Sequence, residues 1–215
     1  MNNLHGWIED KQFITAVYRK YAPEYISTIK PVHEEYIQKI RQQITPDDVY
    51  PGIMTESMKS DPRLESFERY IADCAWDILN QQGYNMDYFY TLVQQLWGQY
   101  HPRTSSMEPH SHGDSSFLVG LYFIDVPEDS SKINFHDPRP AKIHTGLPLR
   151  QIDSLTYAND IISYTPRPGD LVITNSWLSH SFLRNRSQLP FNFLHFNIGV
   201  IRADSIEPPD TAIVV

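Results

Sequence analysis

Two periodicities divide the chain. From Pro31 onward, Val32, Tyr36, Ile37 and Ile40 recur at helical spacing, and Pro46 follows their end. A second helix is predicted from Asp61-Pro62, a capping residue followed by proline at the first helical position. Leu64, Phe67, Ile71, Ala75, Ile78 and Leu79 form its apolar stripe, and Gly83 is placed to end it. Cys74 falls beside that stripe and reads as a core residue rather than a reactive thiol. The stretch between Thr45 and Ser60, with its Pro, Gly and Asp, reads as a loop.

Beyond Gly83 the period becomes that of strands. Residues 88–100, 117–126, 132–136, 160–164, 169–174 and 191–202 are strand candidates, separated by turn material such as PEDSS, DPRP, TPRPGD and RNRSQLP. Short strands with no long helix between them predict an antiparallel sandwich or jelly roll, not a βαβ sheet. The expected fold is therefore mainly β with N-terminal helices, in a single domain over 1–215. About 1–85 would be helical support, about 86–203 the β-core, and 204–215 a tail.

Composition narrows the function classes. A chain 40% hydrophobic and 13% aromatic supplies a sizeable core. The net charge of −8 argues against a nucleic-acid binder, which needs a basic footprint. The only cysteine, Cys74, cannot form an internal disulfide and fits a reducing compartment. MNNLHGWIEDK lacks the basic start and apolar core of a signal peptide. The longest strongly apolar run, 117–124, is far below the ~18 residues that span a bilayer. These features predict a soluble cytoplasmic protein with no membrane partner; a homodimer is compatible with them.

The candidate chemistry sits in EPHSHGDSS, residues 108–116. His110, His112 and Asp114 are each two positions apart, so in extended chain they share one face. A second cluster, PGDLVITNSWLSHSF over 168–182, reads as a turn and a strand that deliver His180 to the start of the next strand. His112, Asp114 and His180 would give the two-histidine, one-carboxylate face of non-haem Fe(II) oxygenases, which leaves positions open for reactants.

Four blocks in this order, EPHSH before an apolar strand ending GLYFIDVPE, then INFHDPRP, PGDLVITNSWLSH and FLHFNI, resemble the catalytic core of the Fe(II)/2-oxoglutarate-dependent oxygenase superfamily. Within it they are most similar to the prolyl-hydroxylase-like branch of small bacterial and phage members. The resemblance implies a double-stranded β-helix, Fe(II) and the cosubstrate 2-oxoglutarate. It also implies hydroxylation of a C–H bond, with dioxygen consumed and succinate and CO2 formed. It implies a metal set of His112, Asp114 and His180, or of His110, His112 and His180 where the histidine pair is the recurrent element. The carboxylate is preferred because it offsets the Fe(II) charge.

The superfamily usually grips the far carboxylate of 2-oxoglutarate with Arg or Lys on the strand after the distal histidine, but here 189–192 read Leu-Pro-Phe-Asn. Arg139 is the substitute expected, since guanidinium suits a carboxylate bidentately. Tyr122 would donate its hydroxyl, and His195 and Asn197 share the strand face an anchor at 191 would use. Arg184 and Arg186 fall in a turn and read as solvated, and Trp177 is a candidate wall of the substrate cleft. The substrate is not specified; a peptide or protein side chain such as proline is favoured by the resemblance over a small molecule. The competing readings are a cupin-like metalloprotein that does not use 2-oxoglutarate, which the missing cation favours, and a structural jelly-roll module.

Overall fold

The computed structural model describes residues 8, 10–43, 52–113, 115–151 and 155–205. The strand-period half of the chain folds into two antiparallel sheets, each expected strand present with its ends shifted by at most one residue. One sheet orders its six strands β1 (Val17–Tyr21), β8 (Asp170–Asn175), β5 (Leu118–Asp125), β10 (Phe191–Arg202), β3 (Phe89–His101) and β2 (Ile53–Met54). The other orders four: β4 (Met107–His110), β9 (His180–Phe182), β6 (Ile133–His136) and β7 (Ile161–Tyr164). This is the double-stranded β-helix.

Two apolar clusters hold it. Leu121, Phe123, Val172, Phe191 and Phe193 of the larger sheet meet Ile133, Phe135 and Phe182 of the smaller one, closing one end of the space between the sheets. On the other face, Leu118, Tyr122, Leu171, Leu194 and Phe196 pack against the helices α1 (Ile26–Ile40) and α2 (Glu65–Gln81). The predicted stripe of α2 supplies Phe67, Ile71, Ala75, Ile78 and Leu79 to that cluster, and Gly83 takes φ +97° just past its end. Asp61 accepts from the Arg63 N–H at 3.0 Å, although the turn it opens is 3-10 before α2 begins. Cys74 packs half-buried at this cluster, and burial pushes its thiol pKa up, as a core residue requires.

Two short strands correct the reading of residues 1–85 as helical support with a loop over 45–60. Val17–Tyr21 forms an edge strand on β8, and Ile53–Met54 a short strand on β3. Neither carries enough consecutive alternation to register as a strand, and each is recruited by an open sheet edge. Helix α1 begins before Pro31, which lies inside it. The expected tail lies mostly outside the described residues.

Two buried histidines away from the chemistry carry a pH signature. His33 of α1 lies on β3, where Gly98 leaves room: a Cβ there would stand 2.6 Å from the imidazole Cδ2. Its Nε2 meets the Gln99 carbonyl at 3.1 Å, and burial lowers its pKa from 6.5 to about 4. His101 is buried among Phe182, Phe191 and Phe193, and its pKa falls likewise to about 4. Below pH 6.5 the unfolded chain binds protons these sites refuse, so stability complete above that pH is lost as pH falls toward 4. Roughly 3 kcal/mol per histidine is at stake at the acid end. Urea denaturation of the metal-free protein across that window should show the loss, and His33→Gln should flatten the slope; an unchanged slope in the variant would contradict the assignment.

Candidate metal centre

β4 and β9 are neighbours in the smaller sheet, and their register places His110 directly opposite His180. His112 lies just past the end of β4. Its backbone N–H donates to the Ser176 carbonyl at 2.8 Å, and the Ser176 hydroxyl donates to the Ser116 carbonyl at 2.6 Å. Ser176 therefore pins the loop after β4 to the turn between β8 and β9. The three rings converge, with centroids 4.5 Å apart for His110 and His180, and 5.2 Å for His112 with each of the others. One nitrogen from each lies within 4.8 Å of the other two.

The ring orientations prepare these nitrogens for a metal. His110 Nδ1 lies 2.8 Å from the Glu108 carbonyl, and His180 Nδ1 lies 3.1 Å from the Leu178 carbonyl. A carbonyl only accepts, so both Nδ1 atoms carry the proton and both Nε2 atoms keep a lone pair. The Nε2 atoms of His112 and His180 are buried with no hydrogen-bond partner among the described residues. Burial, with His110 close by, lowers the pKa of both residues to about 4, so the imidazoles are neutral, as metal binding requires. Orphaned, neutral, convergent donors of this kind fit Fe(II), for which imidazole is a suitable ligand.

The other expected residues divide. His195 on β10 lies at the centre, its ring 4.7 Å from that of His112, and is 3% exposed. Asn197, two positions on, donates from Nδ2 to Gln95 Oε1 at 2.7 Å. Asp114 lies outside the described residues. Tyr122 requires correction: it faces the helices, fully buried beside Phe67, and its hydroxyl donates to the Ala22 carbonyl at 2.7 Å. Strand alternation sends Leu121 and Phe123, not Tyr122, toward the space between the sheets.

Arg139 requires it too. Its guanidinium is exposed and grips Asp137, Nε to Oδ1 at 2.9 Å and Nη2 to Oδ2 at 2.6 Å. It lines a different hollow, with Gln12, Phe13 and Tyr157. Arg184 and Arg186 are exposed as expected, and Trp177 is half-exposed in the turn before β9. One contributor was not foreseen: Trp97 of β3, which pairs with His195 across the strands, the two rings tilted against each other with centroids 4.7 Å apart. The alternation of Gln95, Trp97 and Gln99 along β3 is the signal that would have found it. A cavity of about 410 Å³ opens beside the histidines, lined by Trp97, Gln99, Met107, His110, His112 and His195.

Residues 95–197 match the family described as Putative 2OG-Fe(II) oxygenase. This portion of the chain, which holds all the histidines of the centre, belongs to the 2OG-Fe(II) oxygenase superfamily. No curated protein matches. Among solved structures, the fold is similar to AviO1 from Streptomyces viridochromogenes Tue57 (11% identity, TM-score 0.60, covering 91% of this chain and 92% of that one). It is also similar to a prolyl-4-hydroxylase from Pseudomonas putida (10%, 0.57, 86% and 92%). HygX from Streptomyces hygroscopicus, solved with nickel and 2-oxoglutarate bound, is a third (12%, 0.53, 86% and 83%). At these identities the likeness establishes the fold.

Proposed function

We propose that this protein is an Fe(II)- and 2-oxoglutarate-dependent dioxygenase that hydroxylates a C–H bond, with His110, His112 and His180 as its metal ligands. The observation that carries the reading is the pair of buried, partnerless Nε2 atoms on His112 and His180, converging with His110 inside the portion that matches the oxygenase family. Fe(II) held there supplies, with 2-oxoglutarate and dioxygen, the oxidant; succinate, CO2 and hydroxylated product leave.

The chain's own residues bind, orient and shield. The Glu108 and Leu178 carbonyls hold two rings in the ligating tautomer, and Ser176 fixes the backbone of His112. The cluster around Phe182, Phe191 and Phe193 excludes water from the interior end of the barrel. His195 lines the cavity, whose exposed edge includes the apolar Met54. A peptide or protein side chain such as proline is the substrate class we favour, supported by the prolyl hydroxylases among the structural neighbours. No helix among the described residues is long and apolar enough to cross a membrane. We propose a cytoplasmic location.

Anaerobic titration with Fe(II) and 2-oxoglutarate tests the reading. A weak charge-transfer band toward the red end of the visible spectrum is expected only when both are present, and admitting air should yield succinate. Iron bound without band or succinate would instead favour a cupin-like metalloprotein.

A further inference from the structure

Among the described residues, the interior offers a dicarboxylate no cation. Position 191 is a phenylalanine, buried among Phe123, Phe182 and Phe193, and Arg139 is turned outward onto Asp137. No Lys or Arg lines the cavity beside the histidines among the described residues. Its lining includes the exposed Glu108 and the apolar Met54, Met107 and Pro109, and two neutral ring nitrogens have hydrogen-bonding capacity left unused. The Trp97 Nε1 and His195 Nε2 atoms are both buried without a partner among the described residues. An indole nitrogen only donates, so the buried Trp97 N–H calls for an acceptor that the described residues do not supply. It stands one ring beyond His112, since His195 contacts both at 4.7 Å. A five-carbon diacid chelated at one end by the metal spans such a gap.

Asn197 adds to this. Its Nδ2 is bonded to Gln95 Oε1 while its Oδ1 is buried and partnerless. Turning both amides over together keeps their mutual hydrogen bond and exposes an NH2 donor in place of the orphaned oxygen.

Resting on the reading of this site as a 2-oxoglutarate oxygenase, we propose that the far carboxylate of the cosubstrate is anchored by the indole N–H of Trp97 rather than by a cationic side chain. Asn197 is its second donor. The anchor is then a hydrogen-bond donor on β3, and the cationic position on β10 has been given over to the aromatic packing that includes Phe191.

The test is calorimetric binding to protein loaded with redox-silent Zn(II), so that no turnover is needed. Two ligands are compared: 2-oxoglutarate and 2-oxopentanoate, which keeps the chelating end and chain length but lacks the far carboxylate. The parent should prefer 2-oxoglutarate. Trp97→Phe, which keeps the ring and removes the donor, should bind 2-oxoglutarate ten- to a hundredfold more weakly, the range for a hydrogen bond to a charged group. Its affinity for 2-oxopentanoate should be unchanged. In the unmutated protein, the Trp97 indole N–H resonance should move on addition of 2-oxoglutarate and stay in place with 2-oxopentanoate, a readout independent of whether the variant folds. An unchanged preference in a folded variant that still binds Zn(II), or an indole resonance indifferent to 2-oxoglutarate, overturns the anchor alone. A Zn(II)-loaded parent that binds neither ligand overturns the oxygenase reading as well.

Discussion

Alanine at position 180 should leave the protein without its metal. His180 is 1% exposed, central in the smaller sheet between β4 and β6, and paired in register with His110. Its Nδ1 is committed to the Leu178 carbonyl, so its one contribution to the cavity is the Nε2 lone pair. Altering only the partners that orient a ligand typically costs 10–100-fold in affinity, so losing the ligand itself should cost more than about a hundredfold. Metal content measured after iron loading and desalting should approach zero in His180→Ala and in His112→Ala, although His180 is far from His112 in the chain. His110→Ala should behave the same way and Asp114→Ala should keep its iron. Metal retained by His110→Ala and lost by Asp114→Ala would make the set His112, Asp114 and His180. Parent-level metal in His180→Ala would overturn the centre altogether.

Valine at Gly120 is expected to give the largest loss of stability. Gly120 sits in β5 between β8 and β10, opposite Phe196, and a Cβ there would stand 2.0 Å from that ring. The ring cannot swing away freely, because Phe196 is fully buried and meets Phe67 edge-on at 6.4 Å, while Phe67 packs on Tyr122 at 5.0 Å. Overpacking a core costs typically 1–3 kcal/mol, and with three rings to displace we expect about 3 kcal/mol or more. In a chain of this size that lowers Tm by roughly 6–12 °C. Since Gly120 faces the helices, the folded fraction should still bind metal like the parent. A Tm unchanged by Gly120→Val would mean that this face of β5 is not packed as described.

Much of this was legible in the sequence, and the parts that were not share a cause. Long periodic segments announced themselves: the stripe from Leu64 to Leu79, and the alternation through β5, β8 and β10, needed only local rules. The edge strands β1 and β2 did not, because pairing with a neighbour rather than local pattern makes them strands. His110, His112 and His180 could be singled out by type and spacing, but His110 was placed second to Asp114. The observation that supports His110, that β4 and β9 set it across from His180, is a register between segments far apart in the chain. Tyr122 and Arg139 went astray for the same reason: a chemically apt side chain says nothing of which face its strand presents or which neighbour claims it first. Trp97 shows the converse: the alternation along β3 places it on the face of Gln95 and Gln99, but an aromatic residue in a strand reads as core until its partnerless N–H is seen.

The larger sheet separates two apolar clusters, one against the helices and one against the smaller sheet, and this gives residue number a meaning along β10. Leu194, Phe196 and Ile198 belong to the helix side; Phe191, Phe193, His195 and Asn197 belong to the barrel. Even positions thus anchor the sheet to the helices, while odd positions divide between barrel packing at Phe191 and Phe193 and the cavity at His195. The pocket can therefore be recut at His195 for a different substrate while the apolar residues on both faces of the strand keep the fold upright.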